Sequence, residues 1–429
     1  MTERSEGTIG PSAGRLVIMG SGETAPTMVE VHRSVLRAAG EGPALLLDTP
    51  YGFQENADSI TQRAIEYFAR NVGRPVTPLR WRERLDGAEL DRALASIRRA
   101  SSVFAGPGSP TYTLRVWQGS GMAQALVGLA RSGGTITFAS AAALTLGVVA
   151  VPVYEIYKSG AVPSWVPAMD VLRELTGLCA TVIPHYDNTE GGTHSTRFCY
   201  LGERRLRLLE PTLPADAQVL GVDEHTALVL DLAAGTASVL GHGTVTTRVD
   251  GVSRMLPTGA VVPIAELAGE LAVELAGERD AGQDRERSAP VAPPPVGAAA
   301  PRSVRAVADR ARATFDAALA AGDADAAGSA VLGLEQALHD WSADTLQSGD
   351  GDHARRTLRG MVLELARAAE GGLADPRERL APLVEALLER RDAARQEGDF
   401  ALADALRDRL KAAGVAVQDT FQGSRWTVR

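Results

Sequence analysis

Short apolar runs alternating with helical periods constrain this chain more than any other feature. Leu16–Met19, Ala44–Leu47, Val76–Trp81, Ser102–Ala105 and Thr135–Ala139 are each strand-sized. Between them lie stretches whose apolar residues recur at helical spacing: Met28, Val29, Val31, Val35 and Leu36, then Ile60 to Val72, then Leu90 to Arg99, then a helix running through Leu129. Strands separated by helices pair in parallel, because a parallel return needs a long crossover, and their sheet is buried on both faces. The expected architecture is α/β, a doubly wound and mostly parallel sheet.

The fifth of these runs ends in an abrupt change of texture. Within Gly133 to Gly147, GGTITFASAAALTLG, the β-branched and aromatic residues Thr135 to Phe138 give way at Ser140 to the helix-formers Ala141 to Leu146. A sharp strand-to-helix turn lifts a hydroxyl above the carboxyl edge of a sheet and aims the next backbone N–H groups at a developing oxyanion. Ser140 is therefore a candidate nucleophile.

Beyond Ser140 the pattern turns to short strands and loops. Ala180 to Pro184 reads as a strand ending at His185, Tyr186 and Asp187; Arg204 to Leu209 reads as an arginine-lined helix; Val219–Val222, Ala227–Leu232 and Thr236–Leu240 read as further strands. The segment 279–301 is charged and then rich in Pro, Ala and Gly, the composition of a linker. After it, 302–413 is alanine-rich with apolar residues at helical spacing, expected as three or four helices, and Val415–Val428 alternates like a hairpin. The organisation expected is an unstructured lead over 1–14, an α/β domain over 15–278, the linker over 279–301, and a small all-α bundle ending in a β-hairpin over 302–429.

A chain of 429 residues is too long for one ordinary core, and 45% hydrophobic residues can fill two. Its 44 basic residues against 53 acidic ones leave a net charge of −9, which argues against an electrostatic footprint for bulk nucleic acid or an anionic membrane. Cys179 and Cys199 make neither a disulfide scaffold nor a zinc spacing. The polar N-terminus carries no apolar leader, and no apolar run reaches the roughly 18 residues of a membrane helix, so a cytoplasmic setting is expected.

A serine nucleophile needs a base within hydrogen-bond reach and an acid that holds the base in the right tautomer. His185, at the end of a strand, is the candidate base, expected to meet Ser140 at the same sheet edge. Glu155, Asp170 and Asp187 are the acids nearby in sequence. Two other chemistries suggest themselves. Gly20, Gly22 and Ala25 follow a strand, and Asp48 ends the next one, as in a dinucleotide fingerprint. His185, Asp187 and His194 resemble metal ligands, but the spacing is not diagnostic. Neither a cofactor nor a metal is expected.

Four motifs in order carry a resemblance. FASAAALTLG around Ser140 resembles the serine elbow of the dipeptidase E and cyanophycinase family, and FAGPGSPTYTL resembles its preceding glycine-rich segment. VIPHYDN followed by ERRLRLL resembles its histidine motif and arginine-rich helix, and GVDEHTALVL resembles a strand segment of cyanophycinase-like members. The resemblance covers about 15–262. It implies a class I glutamine amidotransferase-like fold with serine in place of cysteine, cleaving small peptides or isopeptide bonds that involve acidic residues. By the same resemblance Ser140 is the nucleophile, His185 the general base and Glu155 the acid, with oxyanion donors on Gly106, Gly108 and Ala141. Pro107 and Ala142 stand where the family usually has glycine, and Ser109 where it has asparagine. Proline has no N–H, and losing one oxyanion donor costs about 100-fold or more, so an inert domain is the alternative reading.

Arg390 to Trp426, RRDAARQEGDFALADALRDRLKAAGVAVQDTFQGSRW, is very similar to the C-terminal tail of cysteinyl-tRNA synthetases, and the helices from about Arg302 match that enzyme more loosely. In the synthetase this region approaches the anticodon stem. The resemblance therefore implies tRNA as a partner, through Arg390, Arg391, Arg407, Arg409, Lys411 and Arg425. Ten basic residues against nine acidic ones over Arg377–Arg429 are thin for backbone binding, and a borrowed scaffold is the plainer reading. With no HIGH-like or KMSKS-like motif, the chain is not expected to aminoacylate. The sequence thus suggests a serine-type peptidase, with a small peptide or amide as substrate, joined to a module for tRNA or a protein; a homodimer is compatible with it.

Overall fold

The computed structural model describes residues 14–189, 194–268, 303–342, 348–371, 376–420 and 423–428. The expected lead and linker lie outside the described residues, apart from Gly14. The chain divides into two compact units, one up to residue 302 together with 340–348, the other made of the rest of 303–429.

The first unit is built on an eight-stranded sheet. Its parallel half contains β1 (Arg15–Met19), β2 (Ala44–Leu47), β3 (Thr77–Leu79), β4 (Ser102–Ala105) and β5 (Thr135–Ala139), in the spatial order β3-β2-β4-β5-β1. These are the five expected strands. Side chains alternate between two cores: Leu16, Ile18, Ile136 and Phe138 pack with Leu94, Ile97 and Leu126 on one face, while Val17, Met19 and Leu46 pack with Val31, Val35 and Tyr67 on the other. Both faces of the sheet are buried, as the sequence implied. Two boundaries differ from expectation. β3 stops at Leu79 because the Trp81 N–H leaves the ladder and donates to Asp48 Oδ1. The helix expected through Leu129 is two helices, Pro110–Trp117 and Met122–Arg131, broken where Gly121 turns left-handed at φ 85°.

Beyond β1 the sheet turns antiparallel, through β10 (Thr226–Asp231), β11 (Thr236–Gly241) and β14 (Val261–Pro263). β8 (Ala180–Ile183) and β9 (Gln218–Val222), which precede β10, and β12 (Thr244–Val249) and β13 (Val252–Pro257), which lie between β11 and β14, form a separate four-stranded sheet ordered β13-β12-β9-β8, while β6 (Val149–Ala150) and β7 (Val166–Pro167) make a two-stranded ribbon. The strand that ends before His185 therefore lies in this second sheet, against the expectation that His185 and Ser140 share one sheet edge. It is tied to the elbow region instead by the Val148 N–H, which donates to Ala180 O at 3.0 Å.

The second unit contains five helices among its described residues, Val304–Ala320, Ala324–Asp340, Ser348–Gly371, Pro376–Gln396 and Phe400–Ala412, more than the three or four expected. Ser303 and Asp399 cap two of them by accepting the N–H of Ala306 and Leu402. The hairpin of β15 (Val415–Thr420) and β16 (Gly423–Val428) follows, its Trp426 buried with Val384, Leu388 and Leu410.

Candidate active site

β5 delivers Ser140 to the carboxyl edge of the sheet, and the helix Ser140–Leu144 begins at once. Ala139 is still extended, but Ser140 has φ 49°, the left-handed region that costs a non-glycine residue about 1–3 kcal/mol. That strain is the mark of an elbow. The next three residues are alanines buried to 3% exposure or less, so small side chains let the helix start inside the protein. Ala142, where glycine was the family's pattern, fits without distortion: it lies in the helix, and its N–H donates to Gly106 O at 3.3 Å.

His185 lies two residues past β8, itself at φ 49° and 3% exposed. Its Nε2 is 3.0 Å from Ser140 Oγ. Its Nδ1 is 2.8 Å from Glu224 Oε1, which also accepts the Asn188 amide at 3.0 Å. Asp187 stands behind this pair, its Oδ1 accepting the Glu224 N–H at 2.8 Å. Burial alone would push the Glu224 carboxyl up, but the hydrogen bond and charge of His185, with Asn188, outweigh it and bring the pKa down to about 2. Asp187, by contrast, is raised to about 6, first by burial and then by the nearby charge of Asp223. The geometry is that of a hydroxyl, an imidazole and an ionised carboxylate in line.

The acid hydrogen-bonded to the histidine ring is Glu224, not Glu155, the acid the resemblance implied. Glu155 accepts from Thr111 Oγ1 at 3.1 Å. Asp170 is paired with Arg173, and Asp187 accepts the backbone N–H of Glu224. The signal that could have found Glu224 lies in strand pairing. β8 and β9 run parallel with Ile183 opposite Gly221, so the residues just past both strands, His185 and Glu224, emerge side by side. The Tyr186 N–H donates to Val222 O and prolongs that register.

A cavity of about 410 Å³ opens onto Ser140 and His185. Of the three residues expected to bear oxyanion donors, Gly108 and Ala141 line it. Gly106 does not; its carbonyl accepts the Ala142 N–H. Pro107 also lines the cavity and supplies no donor. Gly108 has φ 144°, and a Cβ there would stand 1.9 Å from Pro50 O, so the segment is shaped by close passage over Pro50. Ser109, where asparagine was usual, caps the helix Pro110–Trp117 by accepting the Tyr112 N–H at 3.1 Å. Lys158 lines the cavity with Tyr154 and Tyr157. Cys199 lines it too, but burial and then the Glu224 charge push its thiol up to about 12, so it is no thiolate.

The other two chemistries fare differently. Asp48 is fully buried and bound to the Trp81 N–H and Arg82 Nε, so it has no free face for a ribose. His194 meets the Tyr157 hydroxyl while His185 and Asp187 serve Ser140 and Glu224. Among the described residues no three His, Cys, Asp or Glu side chains are placed to hold a metal.

In the second unit, Arg391 is not available to a partner. It is 2% exposed, and its guanidinium forms two bonds of 2.8 Å with Asp419 and a third with Ser424, pinning the hairpin to the helix. Arg390, Arg407, Arg409, Lys411 and Arg425 are exposed.

Comparison with known proteins gives both structural and sequence likenesses. A crystal structure of a peptidase from an acI-B1 Actinobacterium is 21% identical with a TM-score of 0.49, covering 59% of this chain and 98% of that one. A peptidase E protein from Listeria monocytogenes EGD-e gives 13% and 0.35, covering 57% of this chain and 99% of its own. Residues 377–429 match the cysteinyl-tRNA ligase anticodon binding domain. A cysteine–tRNA ligase from Beutenbergia cavernae is 42% identical over 90 residues, 19% of each chain, and one from Exiguobacterium sibiricum is 46% identical over 65 residues, 15% of this chain and 13% of that enzyme. The chain thus spans a fifth or less of these ligases. Its residues 377–429 resemble the anticodon-binding domain of cysteinyl-tRNA ligases.

Proposed function

We propose that the α/β unit is a serine hydrolase of peptidase type, acting on small peptide or isopeptide amides in a reducing cytoplasm. The observation that carries this reading is the unbroken line from Ser140 Oγ through His185 to Glu224, with Ser140 and His185 lining a cavity. Ser140 Oγ attacks the amide carbonyl as His185 Nε2 takes its proton, and Glu224 stabilises the imidazolium through Nδ1–H. The N–H groups of Ala141 and Gly108 are the oxyanion donors, which leaves Pro107 outside the set. His185 then protonates the leaving amine, and water attacks the acyl ester by the same route in reverse. Lys158, the cation lining the cavity, supports substrates that carry a carboxylate.

For the second unit the reading is tRNA contact through Arg390, Arg407, Arg409, Lys411 and Arg425, supported by their exposure and by the matched domain. An inert α/β domain in a tRNA- or protein-binding protein is the competing reading, favoured by the proline at position 107. A fluorophosphonate probe separates them. Labelling of wild-type protein that disappears in Ser140→Ala supports the hydrolase, and folded protein that takes no label rejects it.

A further inference from the structure

We infer that Arg248 is a positioning residue for the site proposed above: it locks a left-handed turn, Phe198–Tyr200, that holds His185 against Ser140. The inference rests on the hydrolase reading, but its parts lie outside the catalytic line. Phe198, Cys199 and Tyr200 have φ values of 60°, 53° and 65°, three successive non-glycine residues in the left-handed region. Such a run is costly and persists only where surrounding contacts over-determine it.

Those contacts run directly to the base. The Phe198 N–H donates to Tyr186 O at 3.0 Å and the Cys199 N–H to His185 O at 3.1 Å, so two consecutive amides grip two consecutive carbonyls of the histidine segment. The Phe198 ring stands edge-on to Tyr186 at 4.6 Å, and the Tyr200 ring lies 6.1 Å from that of His185. Cys199 and Tyr200 also line the cavity that holds Ser140. The turn is thus both a wall of the site and a brace for its base.

Arg248, on β12, fixes the turn from behind. Its guanidinium makes four hydrogen bonds of 2.7–3.0 Å, two to Glu210 and two to Glu203, and its carbon lies 5.6 Å from the centre of the Phe198 ring. Glu203 and Glu210 lie at the two ends of the helix Gly202–Leu209 that follows the turn. The side chains of Arg248 and Glu210 are each 5% exposed. A buried ion pair of this kind is weak evidence for stability, since an apolar replacement is often as stable. Holding a strained turn in one geometry is a role that an apolar side chain would not fill.

The test uses the full chain and a fluorophosphonate probe, with Arg248→Met, Arg248→Lys and Glu203→Gln, each checked for fold by circular dichroism. Arg248→Met is expected to slow Ser140 labelling at least tenfold and to move the pH midpoint of labelling. Arg248→Lys should recover part of the rate. Glu203→Gln, which leaves Glu210 in place, should cost a few-fold and decides the matter if Arg248→Met does not fold. A lower melting temperature with an unchanged labelling rate and pH midpoint in the folded variants would overturn the inference. The His185 ring signals in ¹⁵N-histidine spectra, assigned with His185→Gln, give a readout independent of activity. If wild type takes no label yet these signals move in Arg248→Met or Glu203→Gln, the hydrolase reading fails and the positioning role stands; unmoved signals reject the positioning role.

Discussion

Replacing Glu224 by Gln keeps the shape of the acid and removes its charge. Bringing a carboxyl from 4.5 to about 2 against burial corresponds to roughly 3 kcal/mol of interaction, at about 1.4 kcal/mol per pK unit, a factor of a few hundred. A second effect adds to it. A glutamine amide turned toward His185 Nδ1 donates where Glu224 accepted, which places the ring proton on Nε2, the atom that must receive the Ser140 proton at 3.0 Å. The wrong tautomer at a comparable site costs about 10⁴-fold. Glu224→Gln should therefore slow fluorophosphonate labelling of Ser140 by about 10³-fold or more, measured as a second-order rate constant on folded protein. Glu155→Gln loses only the bond to Thr111 and should stay within about threefold of wild type. A Glu224→Gln rate within that same range, or a collapse in Glu155→Gln, would refute the assignment of the acid.

The same carboxyl makes stability depend on pH. Its folded pKa lies below its ordinary value, so its contribution is complete above about pH 4.5 and is lost as pH falls through about 2. The gap in unfolding free energy between wild type and Glu224→Gln should therefore narrow in urea titrations run from pH 6 down to pH 3, and a gap that stays constant would contradict the pairing of Glu224 with His185. Gly108→Ala would force a Cβ to 1.9 Å from Pro50 O; labelling should fall by about 100-fold or more if the donor moves with the segment, and an unchanged rate would remove Gly108 from the oxyanion site. Arg391→Ala removes a buried two-bond fork to Asp419, which keeps its bond from Arg395, and should destabilise the C-terminal unit by about 1–2 kcal/mol in chemical denaturation; no loss would mean the hairpin does not depend on that fork. Arg407→Glu with Arg409→Glu should weaken tRNA binding by the full chain at low salt and flatten its salt dependence, whereas equal affinity of wild type for tRNA and unrelated RNA would reject specific recognition.

The sequence made the parallel sheet legible because four of its five strands, β1, β2, β4 and β5, are almost wholly buried and so read as short, mainly apolar runs, while the helices between them carry their own period; β3, at the sheet's edge, is more exposed. Ser140 and His185 were legible for a related reason, since both end a strand and lie where a sheet exposes its carboxyl edge. Glu224 was not, because it lies in a turn 39 residues from its partner and reaches it only through the pairing of β8 with β9, which no local pattern specifies. The break between Pro110–Trp117 and Met122–Arg131 was missed because apolar residues on both sides keep a helical spacing across it. Arg391 looked like its exposed neighbour Arg390, and only the folded-back hairpin, bringing Asp419 to it, distinguishes them.

The central claim is that Ser140 is a nucleophile activated by His185. Mass spectrometry of the full chain after fluorophosphonate treatment, with the adduct located by peptide mapping, tests it most directly. The account predicts one adduct, on Ser140, that is lost in His185→Gln. Folded wild-type protein without an adduct, or an adduct on Ser140 that forms equally fast without His185, would contradict it.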